Sequence, residues 1–290
     1  GYRIGSQATG IGAQTILTNN ANFSLTVSGA ALRVGDSANP VTARLVIDNS
    51  TLSMAAGNMG IPYAAGATSE VSQVGGLFTG GIVNFSQTGA GQGTYTVQNG
   101  TVEPLQIKKN TGGGDGRIYF NNAILRPASG ALDPFFAGLN SAEIQAGGLT
   151  LDATSDVTIA QVLSGAGALT KINYATVTLT GANTYTGNTV VQGGRLVLPN
   201  VQSNATTVQI ASSAELGVIA TSAGKTLTVP AISFLGSSSA FNVDFGTLST
   251  PTNALVKVTS LSVNSPVTVN VANGLLLTTG QFPLVDYDGA

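Results

Sequence analysis

The sequence predicts an all-β chain wound as a β-solenoid of about a dozen rungs. The first observation behind this is an internal repeat. Four octapeptides align without gaps: LTVSGAAL (25–32), LVIDNSTL (45–52), YTVQNGTV (95–102) and IYFNNAIL (118–125). Each is apolar at its first, third and eighth positions and carries Gly or Asn at its fifth, namely Gly29, Asn49, Asn99 and Asn122. A weaker copy, SQVGGLFT (72–79), supplies Gly76 and closes the gap between Asn49 and Asn99. The period is then roughly 20–27 residues, within the range of solenoid repeats. The second observation is strict alternation, as in Val177-Thr178-Leu179-Thr180, which sends apolar side chains to one face of a strand. The third is the 38 glycines, spread along the chain rather than gathered in a linker. Gly and Asn tolerate the positive φ of a sharp corner.

The elements follow in order. Residues 1–130 carry the N-terminal rungs of a single solenoid spanning 1–290. An insert at 131–143 follows, where LDPFFAGLNSAEI (132–144) changes the pattern, with Asp133 placed as an N-cap and Pro134 at a first helical position. The expectation is a short helical segment near 133–139, a plug or lid over the core, or else a knob for a partner. Residues 144–290 carry the C-terminal rungs. There IQAGGLTL (144–151) and VQGGRLVL (191–198) match each other at twice the earlier period, and IASSAELGV (210–218) is a looser copy. One rung cannot bury its apolar face alone, but rungs stacked about 4.8 Å apart share one core. An antiparallel sandwich remains the alternative. It does not require like residues at like positions.

Composition removes several functions. Cys and His are absent, so there is no disulfide framework, no thiolate or imidazole metal site, and no Ser-His or Cys-His catalysis. Only 8% of residues are charged, yet 42% are hydrophobic, which is a folding composition. The net charge is −2, and the only adjacent basic pair is Lys108-Lys109, so no nucleic-acid surface is expected. No apolar run is long enough to cross a bilayer, and no membrane insertion is expected. The chain opens on Gly1 without a signal peptide and reads as part of a longer product. Weak candidates have local explanations. NTGGGDG (110–116) is a single Gly-rich loop with one Asp, too little for stacked calcium repeats. Asp152 with Asp156, and Asp286 with Asp288, flank turns, where Asp commonly bonds its own backbone. GAGQG (89–93) is followed by no helical pattern and is not a dinucleotide loop. No catalytic, cofactor or metal residue is therefore assigned.

One stretch is more specific. SGAGALTKINYATVTLTGANTYTGNTVVQGGRLVL (164–198) resembles the autotransporter-associated β-strand repeat of bacterial surface proteins. Gly165, Gly167, Leu169, Thr170 and Lys171 match its opening, Thr178 to Gly187 its centre, and Val191, Gly194, Leu196 and Leu198 its close. INYAT (172–176) departs where the family has glycine-rich turns, which leaves the shape of one corner open. The repeat's core and corner positions here are Leu169, Leu179, Gly181, Asn183, Tyr185, Gly187, Val191, Gly194, Leu196 and Leu198. Tyr174 and Tyr185 are read as outward-facing or as sugar platforms.

The resemblance implies a right-handed parallel β-helix, exported and displayed outside an outer membrane, and carries no catalytic residue. Sequons at Asn22, Asn49, Asn84, Asn99 and Asn204 would go unused in a bacterium. The leading expectation is a non-enzymatic surface rod or the subunit of an extracellular fibre, associating end to end or with other surface components. An adhesin that recognises glycan or another cell is the alternative. A β-helical polysaccharide-degrading enzyme is disfavoured, because 13 acidic residues are dispersed over 290 positions.

Overall fold

The computed structural model describes residues 2–4, 13–18, 24–28, 31–36, 41–55, 57–86, 90–110, 113–202, 207–246, 253–273 and 283–287. Every regular element among them is a strand, and every strand pairing is parallel. The chain is a parallel β-solenoid. It divides into two units, Gly1–Leu149 and Thr150–Ala290. No helix among the described residues is long and apolar enough to cross a membrane.

In the first unit each coil has three strands. The longest face stacks Thr42–Asp48, Thr68–Val74, Gln92–Gln98 and Asp115–Asn121 in register. Thr42 faces Thr68, Thr68 faces Gln92 and Gln92 faces Asp115, so successive coils shorten slightly along this face. Alternation sends Leu45, Val71, Tyr95 and Ile118 inward as one column, and Ile47, Gln73, Val97 and Phe120 as the next. Gln73 is the polar member, fully buried. Its Oε1 accepts the Tyr95 hydroxyl at 2.5 Å, and its Nε2 donates to the carbonyls of Gly76 and Thr101 at 3.2 and 3.0 Å.

That glutamine explains a one-residue shift in the sequence alignment. Because Val74 pairs with Asp48 and Gln98, the residue stacked between Asn49 and Asn99 is Gly75, with Gly76 one place further on. Asn49, Gly75, Asn99 and Asn122 all adopt positive φ, between 46° and 71°. The Asn122 amide donates to Asn99 Oδ1 at 2.8 Å. A Cβ on Gly75 would lie 2.2 Å from Asn49 Oδ1, so glycine there leaves room for the amide one coil away. LTVSGAAL is displaced as well: Leu25 pairs with Leu52, so it turns a different corner from LVIDNSTL. Gly29 lies outside the described residues.

The helical segment expected near 133–139 is absent. Phe136–Ala137 is a short strand paired with Ile107 and Lys108, and the Asp133-Pro134 peptide is cis. Phe135 and Phe136 are both fully buried, and Phe136 meets Phe120 edge-on at 6.3 Å. The Phe135 carbonyl accepts from Ile107 N at 2.8 Å. Joining the ladder buries both rings and satisfies the backbone, which a one-turn helix over the core would not do.

In the second unit two strands per coil are described, and residues 180–188 add a strandless arch layered on 159–165. One face carries Thr176–Leu179, Arg195–Pro199, Glu215–Ile219, Ala240–Asp244 and Thr268–Ala272. Coil length grows along it: Thr176 pairs with Arg195, whereas Ala240 pairs with the more distant Thr268. Near the other end of the chain, the step from Tyr2 to its partner Leu32 is longer still. Coil length thus varies around the period of the octapeptides. Among the described residues six strands stack along one face in the first unit and six in the second, one per coil, in line with the expected dozen rungs.

Candidate functional site

The stretch singled out by sequence, 164–198, lies wholly in the second unit. Its strands are Leu169–Ile172, Thr176–Leu179, Thr189–Val191 and Arg195–Pro199. Leu169, Leu179, Val191, Leu196 and Leu198 are fully buried. Leu169 stacks on Thr189, which stacks on Val208, and Val177 stacks on Leu196. Residues 180–188 form no strand, yet they lie as a layer on 159–165. Thr180, Thr184 and Thr186 donate their backbone N–H to the carbonyls of Ile159, Leu163 and Gly165 at 2.8–2.9 Å. Alternation persists through this arch, with Gly181, Asn183 and Tyr185 inward and Ala182, Thr184 and Thr186 outward.

The inward polar groups are all engaged. Asn183 Oδ1 accepts from Leu163 N at 2.8 Å, and its amide donates to Gln202 Oε1 at 3.0 Å. Tyr185 is fully buried, its hydroxyl 2.8 Å from Thr189 Oγ1, so it is neither an outer ring nor a sugar platform. Burying that ring removes a large apolar area, and the hydroxyl pair satisfies its polar end. Tyr174 is the outward one, 75% exposed.

Lys171 is the least expected member. Its side chain has no exposed surface. Nζ donates to the carbonyls of Ile172, Asn173 and Gly193 at 2.7, 2.8 and 3.2 Å, clamping the corners of two successive coils. Burial pulls the ammonium down from 10.5 to about 8, opposed by the charges of Asp152 and Asp156. The corner above Lys171 is the one left open by INYAT. It turns on Asn173 at φ 65°, whose amide donates to Asp152 Oδ1, and it is one residue longer than the Gly193-Gly194 corner stacked on it. Gly194 has φ 61°, and a Cβ there would stand 2.5 Å from the Ala175 carbonyl oxygen.

Glycine also permits close approach in the arch. A Cβ on Gly187 would lie 2.3 Å from the carbonyl carbon and oxygen of Gly167, and one on Gly181 2.9 Å from the Gln161 oxygen. Immediately after the repeat, Asn200 is fully buried. It donates to the Ser222 and Lys225 carbonyls and accepts from Thr221 N and Ser222 N.

These residues form a backbone-satisfying network. Sequence reasoning did not place Lys171, Gln202 or Asn200 inside. Phase was the available signal: Lys171 stands two places from Leu169, as Gln73 does from Val71, and in a strand that parity points inward.

The remaining candidates are dispersed. Asp156 Oδ1 accepts from Thr176 N at 2.7 Å, and Asp152 holds Asn173, so both serve corners. Asp115 pairs with Arg117 at 2.6 Å, while residues 111–112 of the Gly-rich loop lie outside the described residues. Asp286 pairs with Lys257 at 3.4 Å, and Asp288 lies outside. Gly93 would bring a Cβ within 2.0 Å of the Ile61 oxygen, a packing role for GAGQG. Of the sequons, Asn49 and Asn99 turn corners and Asn84 is buried, while Asn22 and Asn204 lie outside the described residues. Among the described residues no three Asp or Glu cluster as metal ligands would.

The layered arch, its glycine contacts and the inward lysine coincide with a known unit. Residues 169–198 match the family model described as passenger-associated-transport-repeat. The transport repeat covers about a tenth of the chain. It marks autotransporter passengers, and the parallel solenoid around it is consistent with a passenger β-helix. No curated protein and no solved structure matches the chain.

Proposed function

We propose that this chain is the extracellular β-helical scaffold of a bacterial surface protein, displayed outside an outer membrane and without catalytic activity of its own. The observation that carries the reading is the fate of the polar side chains inside the transport repeat. Lys171, Asn183, Tyr185 and Thr189 are engaged by groups of the same unit. A reacting centre requires such groups to face a substrate, poised for proton transfer or nucleophilic attack. Here they hold backbone carbonyls and amides that stacking would otherwise leave unsatisfied.

The test is location. Antibodies against the purified chain should label intact cells of the native bacterium, and protease added to those cells should remove the signal. Labelling that appears only after permeabilisation would refute surface display.

Self-association is the partner class that this reading favours. Thr268–Ala272 is the last strand of its sheet among the described residues, and Val269 and Val271 on it are 53% and 50% exposed, beside Val263 at 52%. An apolar strand with an unpaired edge is a template for a second copy.

A further inference from the structure

We propose that the outer face of the second unit carries a binding trough for a neutral, linear glycan. The proposal builds on the extracellular reading above and adds a ligand class and a site.

The trough follows from one glycine. On the five strands from Thr176–Leu179 to Thr268–Ala272, register places Thr178, Val197, Gly217, Asn242 and Asn270 in one outward row. Leu216 and Val218 point into the core, so the missing side chain of Gly217 is missing from the outside. A Cβ there would stand 2.8 Å from Val197 Cγ2. The row sinks at its middle. The resulting depression of about 360 Å³ runs across all five strands, from Asp156 to Asn270. At about 4.8 Å per strand it is on the order of 20 Å long. That length fits a chain of several sugar units and is excessive for a monosaccharide.

Its polar groups are held in place from strand to strand. Arg195 Nε donates to Glu215 Oε2 at 2.6 Å, Asn242 Nδ2 donates to the same oxygen at 3.0 Å, and Asn270 Nδ2 donates to Asn242 Oδ1 at 2.9 Å. Four side chains from four successive strands are thereby oriented before any ligand arrives, which lowers the ordering cost of binding. The Thr176 and Thr178 hydroxyls and Asn270 Oδ1 border the floor as hydrogen-bonding partners. Val197, Ile219 and Ala272 supply apolar patches between them for the C–H faces of sugar rings.

The charge balance selects the ligand further. Arg195 is the one cation of the lining, against Asp156 and Asp244 there and Glu215 paired to it. A uronate polymer or a nucleic acid would meet net repulsion. An extended peptide would gain no strand pairing from four of the five floor strands, which are already paired on both sides, and could pair only at the rim strand Thr268–Ala272.

The test is titration calorimetry on the full chain with cellohexaose, chitohexaose, maltohexaose and hexagalacturonate, followed by the disaccharide of any that binds. The expected result is binding of at least one neutral hexasaccharide, at least tenfold weaker binding of its disaccharide, and none of hexagalacturonate. Asn270→Ala and Gly217→Val should each weaken binding at least tenfold. Asn270 lies on an exposed strand, so its variant tests the site even where the glycine variant folds poorly. Absence of binding by all three neutral hexasaccharides at millimolar concentration would overturn the proposal. So would preferential binding of hexagalacturonate, or undiminished binding by Asn270→Ala. Binding by purified chain that is absent from the cell surface would count against the location alone.

Discussion

Gly187→Ala is the sharpest test of how the transport repeat stacks. The added Cβ would lie 2.3 Å from Gly167 C and O and 2.5 Å from Ala168 N, all backbone atoms. Ordinary contact begins near 3.4 Å, so the two layers must part by about 1 Å at this point, against a spacing of about 4.8 Å. Two ladder bonds flank the position: Thr186 N to Gly165 O at 2.8 Å and Leu169 N to Asn188 O at 2.9 Å. An opening of about 1 Å takes both beyond hydrogen-bonding distance. Overpacking costs about 1–3 kcal/mol and each lost bond about 1 kcal/mol, which gives a destabilisation of about 3–5 kcal/mol. The comparison is Gly113→Ala, where a Cβ would meet nothing within 4 Å and φ is not positive. That variant should lie within about 1 kcal/mol of the parent, leaning towards stabilisation through the unfolded chain. Urea unfolding followed by circular dichroism gives the difference. Hydrogen exchange localises it, with the amides of Thr186 and Leu169 losing protection in Gly187→Ala. A Gly187→Ala midpoint equal to that of Gly113→Ala, or unchanged exchange at those amides, would refute the stacked-arch reasoning.

Further predictions follow from the same geometry. Lys171 keeps its proton to 10.5 when unfolded but releases it near 8 when folded. The unfolded chain therefore binds more protons between those values, and stability should rise with pH there and fall as pH drops through 8. Tyr95, whose burial raises its pKa, opposes this above pH 10, so the slope is best read between pH 8 and about 9.5. Lys171→Met should flatten it in urea titrations, and an unchanged slope would exclude Lys171 as its source. Asn183→Ala removes the acceptor of Leu163 N and the amide that donates to Gln202 Oε1, and should cost about 2–4 kcal/mol by denaturant unfolding. Tyr185→Phe, which keeps the ring, should cost only about 1 kcal/mol. Val269→Lys should reduce any concentration-dependent association seen by sedimentation velocity. Association that is undiminished in the variant would place the contact elsewhere.

Much of the architecture was legible because a solenoid states its pattern repeatedly. Each coil needs apolar residues in the same phase and a corner that tolerates positive φ, so Asn49, Asn99 and Asn122 stand out by recurrence. What misled the reading was polarity. Gln73 occupies a core column, so an alignment that sought an apolar residue there slid by one and named Gly76 instead of Gly75. Asp133-Pro134 has the chemistry of a helix start, but the two phenylalanines after it gain more by joining the ladder beside Ile107. Tyr185 carries a hydroxyl, which leaves its side open between a core position and the outside, although its alternation with Gly181 and Asn183 points inward.

By itself, then, the sequence determined the class, the approximate period, the absence of imidazole and thiol chemistry, and the location of the transport repeat. These depend on local alternation and composition. The tertiary structure decided which polar side chains lie inside, where the outer trough sinks and how the arch is layered. Each of those depends on a partner one coil away, as Thr176 depends on Arg195 and Tyr2 on Leu32. Whether Lys171 or Gln73 can be buried is settled by the carbonyls that the neighbouring coil presents, and no window of adjacent residues contains them.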